Sequence, residues 1–353
     1  MKLMQPQPLT TRPSVRVVVP CYNYGHHLAQ LAAMVLDQPG LDVDILIVDD
    51  ASPDGSLRAA QALAATQPRV SVIAHETNTG HISTYNDGLA TVDSDYVVLL
   101  SADDLLPPGA LTRAVALMEH HRQVGLVYGF ARSFDDGIEE PDPGSGKVRS
   151  WSVWSGFDWL RTSMRQGRCF ISSPEVVMRT AALRQVGGYD PRQPHSGDLD
   201  MWLRTALAWN IGRVNGPVQA LYRVHAANMH LTTYAGWAHD LRARRTTFGI
   251  LLDEHAADRH DVQALAGDMH RALAREAVRR ALTAAREDPG CDAATELAEF
   301  AVETYPDITS SLAWREWQFG PAQGRAMAWQ RPRGFLTRAA DHLRWRRWRA
   351  YGI

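Results

Sequence analysis

Asp103 and Asp104 stand side by side just beyond the apolar run Tyr96-Val97-Val98-Leu99-Leu100, separated from it only by Ser101 and Ala102. Two adjacent carboxylates with no basic neighbour in sequence suit a hard divalent cation and the phosphates it carries. A short continuous apolar run reads as a strand buried on both faces of a parallel sheet. Ligands of such sheets bind beyond the carboxyl ends of the strands, where the two aspartates would sit. The alternative is a solvated turn in which aspartate only caps a helix.

Other strand ends carry similar chemistry. The first strand ends Val19-Pro20-Cys21-Tyr22-Asn23, without the G-x-G-x-x-G of a dinucleotide fold. Pro20 stiffens a turn that presents Tyr22 and Asn23, and a tyrosine there can stack on a flat base. The competing reading of Tyr22, a core aromatic, is equally weighted. The second run ends Ile47-Val48-Asp49-Asp50, and a carboxylate in that position can accept hydrogen bonds from a ribose or a base N–H. Ser52 and Asp54 read as caps of the helix that follows. After the third run, Asn78 is expected to be a helix N-cap, while Gly80 permits close approach of phosphate to the helix N-terminus.

The elements that must position these groups alternate. Apolar, β-branched runs at 15–19, 43–48, 70–74 and 96–100 are separated by helical patterns at 27–37, 56–66 and 79–91. This βαβαβαβ order predicts an α/β, doubly wound sheet. A helix over 109–121 and a strand over 124–133 follow. Asp135 to Ser150 is polar and turn-rich, and reads as a loop or lid. Beyond it come a helix over 156–165, a strand over 171–178, a turn at Gly187-Gly188-Tyr189-Asp190-Pro191, a helix over 198–209 and a strand over 216–225. After about residue 235 the β signal stops and Ala-, Leu-, Glu- and Arg-rich helical spacing takes over. The expected division is therefore 1–235 and an all-α module over 236–353.

Composition bounds the rest. The 353 residues are 45% hydrophobic and 22% charged, an ordinary globular balance. A formal net charge of -2 offers nucleic acid no electrostatic purchase. Three widely spaced cysteines make neither a disulfide framework nor a zinc site. Met1 to Pro13 lacks the apolar core of a secretory signal, and no run approaches a membrane span, so a soluble cytoplasmic protein is expected.

Taken in order, VRVVVPCYN, IVDDASPDG, NTGH with NDGL, LLSADDLLPPGAL, GGYD with SGDLDMWLR, and YRVH resemble the motifs of a family 2 glycosyltransferase over residues 14–230. The resemblance implies a GT-A type, doubly wound mixed sheet and inverting transfer from a nucleotide-diphosphate sugar, assisted by Mn²⁺ or Mg²⁺. Carried onto this chain, it implies that Pro20, Tyr22, Asp50, Asn78, Gly80, Ser101 and Asp103 bind the nucleotide, uracil being the base it favours. Asp103 and Asp104 match an acidic metal motif that often reads Asp-Ala-Asp-Asp, so Ser101 replaces its first carboxylate. His225 is the implied additional metal or phosphate ligand, with a satisfied surface histidine as the even alternative. Relatives often carry Arg where Tyr85 stands, which removes one phosphate contact, and Glu where Gly197 stands. Asp198, by motif order and its place at a helix start, is the implied general base; a carboxylate is ionised at neutral pH and ready to accept a proton. Its alternative is a helix cap. Asp200 is expected to be solvated.

Two readings of other classes compete: a binding or scaffold protein that kept the fold, and a nucleotidyltransferase. The acceptor is open among a saccharide, a natural product and a peptide. The last segment, 331–349, mixes seven arginines with Trp345 and Trp348. Packing on its own chain or on a second copy is favoured over contact with an anionic membrane surface. Trp314, Trp317 and Phe319 read first as core, second as an acceptor or dimer surface.

Overall fold

A computed structural model describes residues 1–138, 141–229, 232–288, 290–319 and 348. The described residues divide into two compact units, one of Met1–Trp159 with Ile171–His225, the other of Leu160–Phe170 with the described residues from Ala226 to Phe319 and Trp348.

The first unit is built on a mixed sheet. Among the described residues its strands are β1 (Lys2–Met4), β2 (Ser14–Cys21), β3 (Asp42–Asp49), β4 (Val70–Ala74), β5 (Tyr96–Leu99), β6 (Val124–Asp135), β7 (Ser150–Trp154), β8 (Val177–Arg179) and β9 (Asn210–Val224). They lie in the order β1-β7-β9-β6-β8-β5-β2-β3-β4. The four apolar runs are the parallel half, β5-β2-β3-β4. Their continuous hydrophobicity follows from burial on both faces, as Val15, Val17, Val18 and Val19 of β2 illustrate. The helices between them are α1 (Leu28–Leu36), α2 (Ser56–Thr66) and α3 (His81–Ala90), followed by α4 (Ala110–His120) after β5.

The sheet is mixed because β8 runs antiparallel between β5 and β6. Only Val177–Arg179 forms this strand, shorter than the span 171–178 expected. Pro174 lacks a backbone donor and Ser173 has φ +82°, so the chain before Val177 turns instead of extending. Asp135 to Ser150 holds no described helix or strand between β6 and β7, as expected of a loop. Two short elements were not foreseen, β1 and α6 (Thr180–Val186); β7 was also unforeseen, though its Trp151 and Trp154 are buried. The register of β1 on β7 joins residues 147 to 151 positions apart, from Met4 with Trp151 to Lys2 with Val153, a pairing no local pattern reveals.

α7 (Gly197–Ala208) leads into β9, whose end at Val224 delivers His225. β9 pairs parallel with β6 and touches the segment after β5 through a bridge between Leu105 and Leu221. That bridge fixes Asp103 and Asp104 against the end of β9. On the other side of the sheet edge, α3 approaches β2 and β3 through Gly88. A Cβ there would stand 2.4 Å from a Val18 methyl and 3.1 Å from a Val48 methyl, so only glycine allows the approach.

The second unit is helical. After α5 (Gly156–Gln166), whose residues from Leu160 onward belong to it, come α8 (Trp237–Ile250), a π-helical turn over Leu251–His255, α9 (His260–Gln263), α10 (Ala266–Glu287), α11 (Asp292–Thr304) and α12 (Leu312–Phe319). α10 turns Met269, Leu273, Ala277, Val278 and Ala281 inward at helical spacing. Arg244 is buried here between Asp240 and Glu276 and donates to the Gly167 carbonyl. Trp314 is buried as expected, whereas Phe319 is exposed. The arginine-rich 331–349 lies outside the described residues apart from Trp348. Among the described residues no helix is long and apolar enough to cross a membrane.

Candidate functional site

The ends of β2, β3, β5 and β9 meet at one edge of the sheet. Tyr22, just past β2, is 44% exposed, which excludes the core reading and leaves its ring free to stack. Asn23 beside it adopts φ 66°, and its buried Oδ1 accepts no hydrogen bond; its backbone N–H donates to the Ser52 hydroxyl at 3.1 Å. Neither Ser52 nor Asp54 is the helix N-cap, a position Gly55 holds; Asp54 accepts the Ser56 N–H at 2.9 Å and hydroxyl at 2.6 Å, while the Ser52 hydroxyl accepts the Asn23 N–H.

Asp50 is buried and holds the loop before α3. Its Oδ1 accepts the Thr79 N–H at 2.8 Å and the Thr79 hydroxyl at 3.0 Å, and lies 2.8 Å from His75 Nδ1; its Oδ2 accepts the Gly80 N–H at 2.9 Å. Burial pushes this carboxyl upward, but the donors from Thr79, His75 and Gly80 outweigh it and leave it below the usual carboxylate range. Asn78 is not the helix N-cap. Gly80 holds that position without a side-chain bond, and the Asn78 amide donates to the Asp50 carbonyl at 3.2 Å. The reason is that the carboxylate of another strand has already taken the N–H groups a local cap would serve.

Asp103, Asp104 and His225 are brought together. Asp103 Oδ2 lies 2.9 Å from His225 Nε2, and Asp104 Oδ1 accepts the Arg223 N–H at 3.0 Å. The buried Arg223 guanidinium donates to the Asp103 carbonyl at 2.9 Å. Burial, then the charge of Asp103, pushes Asp104 well above the usual carboxylate value. Ser101 is exposed, and its carbonyl accepts the Asp104 N–H. Two buried carboxylates that repel one another, with an imidazole alongside, offer hard oxygen donors and one nitrogen. Among the described residues, however, no group of three or more His, Cys, Asp or Glu is arranged to hold a metal.

Asp198 lies in the first turn of α7 and is half-buried. Tyr189 donates its phenol to Asp198 Oδ1 at 2.8 Å, and the Ser173 hydroxyl donates to Oδ2. Tyr189 is itself latched: Asn86 of α3 donates to its carbonyl at 2.8 Å and accepts its N–H at 2.7 Å. Burial and the adjacent Asp198 push the Tyr189 phenol well above its ordinary value, so it remains a donor. Tyr85, where relatives have Arg, sets its ring edge-on to Tyr189 with centroids 5.3 Å apart.

Asp200 is not solvated. It is 1% exposed and bonds Arg204 Nε at 2.8 Å. Arg204 also donates to the carbonyls of Val186 and Gly188, pinning the Gly187-Gly188 turn. The expectation failed because α7 is buried on nearly every face, from Leu199 to Ala206, so its polar residues needed internal partners.

Sequence reasoning also missed Glu175. It is 3% exposed; Oε1 accepts the Ser172 N–H at 2.9 Å and Oε2 is buried with no hydrogen-bond partner. Burial raises this carboxyl to about 7, partly offset by Arg213 and reinforced by Asp198. A carboxyl raised on folding favours the native state while protonated, and that advantage is lost as pH climbs from the unfolded value of 4.5 through about 7. Glu175→Gln keeps the acceptor for Ser172 and removes the charge. Its stability relative to the parent should therefore rise between pH 4.5 and 7 and level off above, by about 3 kcal/mol in total. Urea unfolding of both proteins across that range measures the difference. Taking the difference cancels the opposing loss from His27, which burial lowers to about 4.

Residues 16–183 match the model of the family described as glycosyl transferase family 2. A protein of Bacillus subtilis (strain 168) named as a candidate glycosyltransferase, EpsE, is 29% identical over 207 residues, 56% of this chain and 68% of that one. In fold, the chain is similar to the mannosyltransferase PcManGT of Pyrobaculum calidifontis, solved with GDP-Man and Mn²⁺, at a TM-score of 0.55 and 20% identity, covering 89% of this chain and 85% of that one. It is also similar to S. aureus TarS solved with UDP-GlcNAc, at a TM-score of 0.56 and 15% identity, covering 83% and 92%.

Proposed function

We propose that this chain, which matches the glycosyl transferase family 2 model over residues 16–183 and is similar in fold to solved glycosyltransferases, catalyses inverting transfer of a sugar from a nucleotide-diphosphate donor to an acceptor hydroxyl or thiol. The observation that carries the proposal is the carboxylate of Asp198, held at both oxygens by Tyr189 and Ser173 in the unit that also gathers Asp103, Asp104 and His225.

On the donor side, Tyr22 offers its exposed ring to the base. Pro20 and Ser101 border the same edge, and Asp50 orders the Asn78–Gly80 turn whose glycine lets phosphate approach α3. Asp103, Asp104 and His225 would hold Mn²⁺ or Mg²⁺, which when bound neutralises charge on the departing diphosphate. The fold neighbours solved with GDP-Man and Mn²⁺ and with UDP-GlcNAc support a nucleotide-sugar donor and a dication; a uridine donor is the reading we favour.

On the acceptor side, Asp198 takes the proton as the acceptor oxygen or sulfur bonds the anomeric carbon. The bond from that carbon to the diphosphate breaks with its electron pair going to the leaving nucleoside diphosphate. One displacement inverts the centre, and no enzyme nucleophile is invoked. The helical unit is proposed to bind the acceptor, a saccharide, natural product or peptide, or to join a second copy; the chain is proposed to work in the cytoplasm.

Thermal unfolding with UDP-glucose, UDP-N-acetylglucosamine, dTDP-rhamnose and GDP-mannose, each with and without Mn²⁺, tests the proposal. A donor that binds only the folded state should raise the midpoint in proportion to log concentration at saturation, and more so with Mn²⁺. No response to any of the four would remove the donor assignment.

A further inference from the structure

Ser173 occupies a backbone conformation that its side chain makes costly. Its φ of +82° lies in the left-handed region that residues with a Cβ rarely adopt and glycine enters freely. The surrounding chain enforces the turn: the Val176 N–H bonds the Ser173 carbonyl at 3.0 Å, Glu175 accepts the Ser172 N–H, and Pro174 and Glu175 are buried. Were the turn all that mattered, glycine would satisfy it without strain. What serine adds is a hydroxyl, and that hydroxyl donates to Asp198 Oδ2. Strain of this kind persists where it aims a group at a task.

The second donor to Asp198 arrives without strain. Tyr189 comes from a turn latched by Asn86, and it engages only Oδ1. With one oxygen held, the carboxylate can still rotate about its bond to Cβ; with both held, its plane is fixed. We propose that Ser173 is a positioning residue for sugar transfer, its hydroxyl fixing the plane of the Asp198 carboxylate so that a lone pair faces the incoming acceptor. The proposal rests on the reading of Asp198 as the general base. Ser173 itself exchanges no proton with substrate: the acceptor proton goes to Asp198, and the Ser173 O–H bond stays intact throughout.

Three variants test this: Ser173→Gly, Ser173→Ala and Asp198→Asn. Turnover is followed as nucleoside diphosphate released from whichever of the four panel donors the parent hydrolyses fastest with Mn²⁺, and stability by thermal unfolding. Ser173→Gly should melt no lower than the parent, because it loses strain together with one hydrogen bond. Its kcat should nonetheless fall about ten- to hundredfold with the donor KM unchanged. Ser173→Ala should lose as much kcat and melt below Ser173→Gly. Parental kcat in Ser173→Gly, or a change confined to KM, would overturn the positioning role. So would a Ser173→Gly protein that melts well below the parent, a result that needs no donor to obtain. Full turnover in Asp198→Asn would instead remove the base assignment, whereas an inactive Asp198→Asn beside a fully active Ser173→Gly would leave the base standing and dismiss Ser173.

Discussion

Asp198→Asn is expected to lower transfer about a thousandfold while leaving donor binding and folding intact. General-base catalysis by a positioned carboxylate contributes about 10²- to 10⁴-fold, and an amide cannot take the acceptor proton. The substitution is nearly isosteric, and its carbonyl oxygen still accepts from one of the two hydroxyls that hold Asp198. It also separates the two readings of this residue. Asparagine serves well at helix starts, so a mere cap would tolerate the change. Steady-state kinetics with the best panel donor, alongside a thermal shift by that donor, give both quantities. Parental kcat would assign the proton to another group.

Asp103→Asn is expected to abolish Mn²⁺-dependent turnover, a loss of about a thousandfold or more, without destabilising the protein in metal-free buffer. A Lewis acid at a departing diphosphate contributes several kcal/mol, and each 1.4 kcal/mol is tenfold in rate. The stability half of the expectation comes from charge. Asp104 is driven well above the usual carboxylate value by burial and by the charge of Asp103, so neutralising Asp103 relieves its neighbour. The His225 contact to Asp103 Oδ2 survives in whichever amide orientation presents an oxygen to Nε2. Parent and variant are to be melted across a Mn²⁺ titration. The parent midpoint should climb with the ion, while that of the variant stays level at or above the metal-free parent. A climb of equal size in the variant would move the cation elsewhere.

The parallel half of the sheet was legible because β2, β3 and β5 are buried on both faces, which writes burial as an unbroken apolar run. The ends of those runs, Tyr22, Asp50 and Asp103-Asp104, could be marked for the same reason. β1 escaped notice and β8 was drawn too long because three residues cannot carry a period, and their partners lie far off in sequence. Asp200 was misjudged because an amphipathic stripe was assumed for a helix buried all round. Asn78 was misjudged because its helix is served by a carboxylate from β3's end. Ser173, Glu175 and Tyr189 carry no signature of their own. Their meaning arises only where the turn before β8, the Gly187-Gly188 turn and α7 converge.

Asp50 is the feature with the widest practical consequence. Because its oxygens are engaged by Thr79, Gly80 and His75, its carboxylate works as a rivet between two segments of backbone. Attempts to retune which nucleobase the enzyme prefers by altering that aspartate would therefore loosen a joint rather than rewrite a recognition code. On the proposed reading of Tyr22 as the base-stacking residue, redesign of donor preference belongs there, where the ring can be exchanged without undoing any described hydrogen bond.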